Sequence, residues 1–79
     1  SEPVQVSLDA KGAIFLGEEP VAEAALPARL AAIAAEPAPP EGRRVYLRAD
    51  RGLDYGRVMR VMGELNRAGL NRVALVSTG

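Results

Sequence analysis

Cysteine, histidine and tryptophan are all missing from these 79 residues. Without cysteine no disulfide can staple the fold, and without cysteine and histidine a zinc finger is excluded. The lack of imidazole removes every catalytic triad and every acid–base scheme that depends on it. Aromatic residues are scarce, one Phe and two Tyr, so the core must be light. No stretch approaches the roughly 18 consecutive apolar residues of a membrane-spanning helix. The opening residues carry no signal peptide and read as the start of a piece cut from a longer chain. A net charge of zero argues against a nucleic-acid module whose affinity rests on neutralising phosphates.

What is present describes a small globular domain. The length allows one core and one domain, residues 1–79, burying about 60–65% of the extended-chain surface. Hydrophobic residues make up 48% of the chain, and fourteen residues are alanine, a composition too apolar for disorder. The charge is uneven along the sequence. Residues 1–41 hold seven acids and two bases, and residues 42–79 three acids and eight bases. Nine of the ten cations are arginine.

Val4 to Leu8 alternates apolar and polar residues, the period of a half-buried strand. Asp9-Ala10-Lys11-Gly12 is turn chemistry, and Ala13 to Leu16 forms the second arm of a β-hairpin. Val21 closes a brief third strand or bridge after the turn Gly17 to Pro20. Leu26, Leu30, Ile33 and Ala34 lie on one stripe of a helix over 23–36, with Pro27 accommodated in its first turn. Three prolines between Pro37 and Gly42 make a stiff connector. Val45-Tyr46-Leu47 is a strand, and Asp54 is the N-cap of a second helix over 55–68. Its apolar stripe is Tyr55, Val58, Val61, Met62 and Leu65. Gly63 within it marks either a close helix–sheet contact or tolerated slack. Gly69 is the C-cap glycine of a Schellman stop with Leu70 as its apolar contact, and Val73 to Val76 is the last strand.

The order β-β-(β)-α-β-α-β predicts an α/β two-layer fold: a mixed sheet with both helices packed on one face. The strand–helix–strand unit from Arg44 to Ser77 requires parallel strands and a right-handed crossover. The hairpin may flank either side of that pair. The other sheet face is either solvated by its polar alternation or covered by a partner, and spare edges suit dimerisation or strand addition.

Catalytic chemistry finds little support. Asp50 and Asp54 sit where many α/β enzymes place acids, but Asp54 reads as a cap and Asp50 as a turn residue paired with a local arginine. An enzyme fragment using these two acids would need a missing domain for its remaining groups. Glu18-Glu19 is a solvated turn pair with too few oxygens for a hard cation. No cofactor motif is present. Arg57, Arg60 and Arg67 form an exposed stripe on the second helix that can grip an anionic polymer or remain solvated.

The ordered combination of pieces resembles one family. Val45-Tyr46-Leu47-Arg48-Ala49-Asp50, then Asp54-Tyr55, Val58 to Met62, Leu65 to Gly69 and Val73 to Val76 look like the periplasmic domain of the ExbD/TolR family. Val6 to Gly17 is similar to that family's opening hairpin. The resemblance implies a non-enzymatic, dimeric periplasmic domain of a single-pass inner-membrane protein. Its membrane helix and cytoplasmic start, with the proton-linked Asp of that helix, would lie outside these residues. Implied partners are an ExbB- or TolQ-type membrane subunit and a TonB- or TolA-type envelope protein, with peptidoglycan contacted by TolR-type domains. Arg57, Arg60 and Arg67 are then the candidate partner or peptidoglycan contacts. Leu75 falls where the family has a functionally sensitive leucine, for which burial in the core is an equal explanation. Gly17 to Val21 and Arg48-Ala49-Asp50 lean towards ExbD. Tyr55 to Gly63 with Arg72 to Val76 lean towards TolR, and the balance favours TolR within the Tol–Pal system, with ExbD and TonB-dependent transport as the alternative.

Overall fold

A computed structural model describes residues 3–78. Strands β1 (Val4–Leu8), β2 (Ile14–Leu16) and β3 (Glu19–Val21) are followed by a 3-10 turn (Glu23–Ala25) that runs into α1 (Leu26–Ala34). Then come β4 (Arg44–Asp50), α2 (Tyr55–Arg67) and β5 (Arg72–Thr78). The five strands form one mixed sheet in the order β3-β2-β1-β4-β5. β1 pairs antiparallel with β2 and parallel with β4, so it joins the hairpin to the crossover unit. The fold is a two-layer α/β arrangement.

Register assigns the faces. Val6 lies opposite Leu16 on one side and Leu47 on the other, and Leu47 lies opposite Leu75. Those rows face the helices. Val6, Leu8, Ile14, Leu16, Val45, Leu47 and Ala49 are buried there with Leu26 and Leu30 of α1 and Val58, Val61 and Leu65 of α2. Fully burying each leucine or valine contributes about 1.5–3 kcal/mol. The opposite rows, Gln5, Ser7, Phe15, Tyr46 and Arg48, are exposed or half-buried, and no helix covers them.

Local chemistry explains the ends of the elements. Asp9 Oδ1 accepts from the Lys11 and Ala13 N–H groups at 2.9 and 2.8 Å, closing the hairpin turn. Pro27 occupies the first turn of α1, where its missing N–H has no intrahelical partner to lose. At the end of α2, Gly69 adopts φ 89°. Its N–H donates to the Asn66 carbonyl and the Leu70 N–H to the Leu65 carbonyl, at 3.0 and 2.9 Å. That pair of bonds is a Schellman motif, and Leu70 is buried beneath it.

Three details differ from the reading of the sequence. Tyr55, placed on the buried stripe of α2, is the first residue of that helix and is 70% exposed. Ala34 is exposed, so the buried stripe of α1 reduces to Leu26 and Leu30 with Ile33 half-buried. Gly63 meets nothing within 4 Å where its Cβ would stand, so it marks slack and not a close approach.

Candidate functional site

Asp50 and Asp54 are engaged in shaping the backbone. Asp50 Oδ1 accepts from the Gly52 N–H at 2.9 Å, not from an arginine, and turns the chain out of β4. Asp54 stands at the N-cap of α2 and accepts from the Gly56 N–H at 3.4 Å, a long bond. Its main-chain carbonyl takes the N–H groups of Arg57 and Val58. The Glu19 carboxylate is held by both terminal nitrogens of Arg29, at 2.5 and 3.2 Å, tying β3 to α1. The hydrogen bond and charge of that guanidinium hold the Glu19 carboxyl below its ordinary value of 4.5.

The three arginines of α2 fall into different surroundings. Arg57 is half-buried and not part of an exposed stripe. Its Nη1 donates to Glu23 Oε1 and its Nη2 to the Gly12 carbonyl, each at 2.6 Å. It therefore clamps α2 to the hairpin turn and to the start of the 3-10 turn. Its Nε is buried without an acceptor. Gly12, at φ 85°, leaves the room: a Cβ there would stand 2.9 Å from that Nε. Arg60 and Arg67 are exposed, and Arg67 Nη1 makes a loose ion pair with Glu64 at 3.6 Å. Both line a cleft of about 200 Å³ between the helices, floored by Leu26 and Val61 and opened by the missing side chain of Gly63.

The last strand carries the larger signal. β5 is an edge strand of seven residues with no proline or glycine. Leu75 shares the row of Leu47, on the helix side, yet is 52% exposed on the outermost strand. Burial in the core therefore cannot account for a sensitive leucine here. Among the described residues, the exposed large hydrophobics are Tyr55 and Met59 of α2 and Leu75 and Val76 of β5. All of them lie on the last helix and the last strand. The sequence signal was available only in part. Alternation marks Val73 to Val76 as a strand, but no pattern within a strand says whether its outer side is covered.

A bare edge with apolar residues on both of its faces can pair with another strand. No helix among the described residues is long and apolar enough to cross a membrane.

Comparison with known proteins identifies the family. The sequence profile described as "Biopolymer transport protein ExbD/TolR" matches residues 1–79. The "Biopolymer transport protein ExbD" of Pseudomonas aeruginosa is 36% identical over 76 residues, covering 96% of this chain and 55% of that protein. The ExbD proteins of Escherichia coli K12 and Pseudomonas putida are 32% and 34% identical, covering 95% of this chain and 51% of each relative. The chain thus spans about half the length of the curated relatives it matches. Matched along its whole length, the chain belongs to the ExbD/TolR family of non-enzymatic biopolymer transport proteins.

Proposed function

We propose that the chain is the periplasmic part of an ExbD-type subunit, coupling a proton-driven inner-membrane complex to TonB-dependent transport. The observation that carries this is its similarity, at 32–36% identity over nearly the whole chain, to relatives that bear the ExbD name. The lean towards TolR, drawn from Tyr55 to Gly63 and Arg72 to Val76, gives way to ExbD on that ground. The partners are then an ExbB-type membrane subunit and a TonB-type envelope protein. The membrane helix holding the proton-linked acid would precede Ser1, so these residues receive and transmit movement and do not carry the proton.

The subunit acts as a homodimer in this reading, and the β5 edge is the surface through which copies or partner strands meet. Leu75 and Val76 supply the apolar contacts on the two faces of that edge. Arg60 and Arg67, at the cleft between the helices, are the members of the arginine stripe placed to touch peptidoglycan or a partner, whereas Arg57 is committed internally.

Complementation separates the two branches. The full-length protein is expressed in a host lacking its own ExbD and TolR. An ExbD-type subunit restores TonB-dependent uptake and leaves envelope integrity defective. Restored integrity without uptake would reverse the assignment to TolR.

A further inference from the structure

The open face of the sheet carries two arginines side by side on neighbouring strands. Arg44 on β4 lies directly opposite Arg72 on β5, on the uncovered side. Like charges in cross-strand register destabilise a sheet, and among the described residues no acid is paired with either side chain. Arg44 has no hydrogen-bond or ion-pair partner among the described residues, and Arg72 Nη1 donates only to the neutral main-chain carbonyl of Glu41. Tyr46 follows on the same face, half-buried, and then Arg48, exposed and likewise without a partner. A hollow of about 290 Å³ lies over this end of the face, lined by Arg44, Tyr46, Asn71, Arg72 and Ala74. A second hollow, of about 430 Å³, pairs Phe15 with Arg48 at the other end. Asp9 and Asp50 also line it and keep their negative charges, although Oδ1 of each accepts main-chain N–H groups, so the cationic end of the face is the one at Arg44 and Arg72.

These features decide what can sit here. A second copy stacked in matching orientation would set arginines against arginines. An anionic group placed across Arg44 and Arg72 would relieve their repulsion and accept hydrogen bonds from two guanidinium forks. Alternate residues on a strand are about 7 Å apart. An extended segment laid along β4 therefore presents its side chains in step with Arg44, Tyr46 and Arg48. We propose that the open face docks an extended acidic segment of a partner polypeptide, with the pattern acid–x–apolar. The carboxylate bridges Arg44 and Arg72, and the apolar side chain covers Tyr46. This surface adjoins the β5 edge through Arg72 and stands or falls independently of the ExbD assignment.

The test is a titration of the 15N-labelled chain with the peptide Asp-Ser-Leu-Ser-Asp-Ser-Leu, followed by amide shifts. Shifts at Arg44, Tyr46 and Asn71 to Ala74, absent when Lys replaces Asp in the peptide, are the expected result. Arg44→Gln and Arg72→Gln should each weaken binding about tenfold, the scale of one hydrogen bond to a charged group. Arg44→Glu should abolish binding while raising the melting temperature, since it replaces a like-charge pair with an opposite one. Loss of binding through unfolding cannot produce that combination. Shifts confined to α2 or the helix side of β5, or unchanged affinity in the Gln variants, would overturn the proposal. Tighter binding of polygalacturonate at the same residues would also overturn it, reassigning the surface to an acidic polysaccharide.

Discussion

Removing Arg57 tests whether this residue is an internal clamp or an external contact. The variant Arg57→Ala deletes two bonds of 2.6 Å, one to the Gly12 carbonyl and one to Glu23 Oε1. A charged hydrogen bond to a part-buried carbonyl contributes about 1.5–3 kcal/mol. The ion pair contributes less than about 1 kcal/mol, because Glu23 is half exposed and screened. Against these stands the buried Nε without an acceptor, whose removal returns about 1 kcal/mol or more. The net loss is roughly 1–2 kcal/mol, a fall of about 5–15 °C in a domain this small. Arg60→Ala is the control and should stay within about 0.5 kcal/mol. Urea titration by circular dichroism gives both values, and hydrogen exchange locates the loss. Protection should fall in the hairpin turn from Asp9 to Ala13 while the β4–β5 ladder keeps its own relative rank. Equal stabilities for the two variants, with an unchanged turn, would refute the clamp.

Other substitutions read single features of the fold. Gly63→Ala should stabilise by about 0.5–1 kcal/mol, since alanine favours a helix interior and nothing stands within 4 Å of the new methyl group; calorimetry would show a higher Tm. Asp54→Asn should leave stability nearly unchanged, whereas Asp54→Ala should cost about 0.5–1 kcal/mol, the low end for a cap because its bond to Gly56 is long. The Arg29 contact lowers the Glu19 carboxyl in the folded chain. Its contribution is therefore present above the ordinary value of 4.5 and is lost as pH falls through the lower folded value. Glu19→Gln should accordingly flatten the acid limb of a stability–pH profile and leave the neutral region with a constant offset.

Much of this architecture was legible because it is local. Alternation in Val4 to Leu8, the cap at Asp54 and the stop at Gly69-Leu70 each depend on a few consecutive residues. Strand lengths were not, since β4 and β5 extend over Arg48-Ala49-Asp50 and Ser77-Thr78 through pairing with each other. Nor was the position of the hairpin: periodicity assigns faces, but it does not name the neighbour that β1 takes. The role of Arg57 was hidden for the same reason, its acceptors lying 34 and 45 residues away along the chain. The stripe Arg57, Arg60 and Arg67 is one pattern on the helix and two environments in the fold. Leu75 shows the converse: its hydrophobicity suits a core position, but a place on the outermost strand leaves it half exposed.

The β5 edge as a meeting surface is the central claim, and site-specific photocrosslinking tests it most directly. A photoreactive residue is placed at Leu75 of the full-length protein in its own cells, with Ala31 on the exposed side of α1 as the comparison site. The account predicts adducts from Leu75 to a second copy or to a TonB-type protein, and none from Ala31. Adducts from Ala31 with none from Leu75 would contradict it.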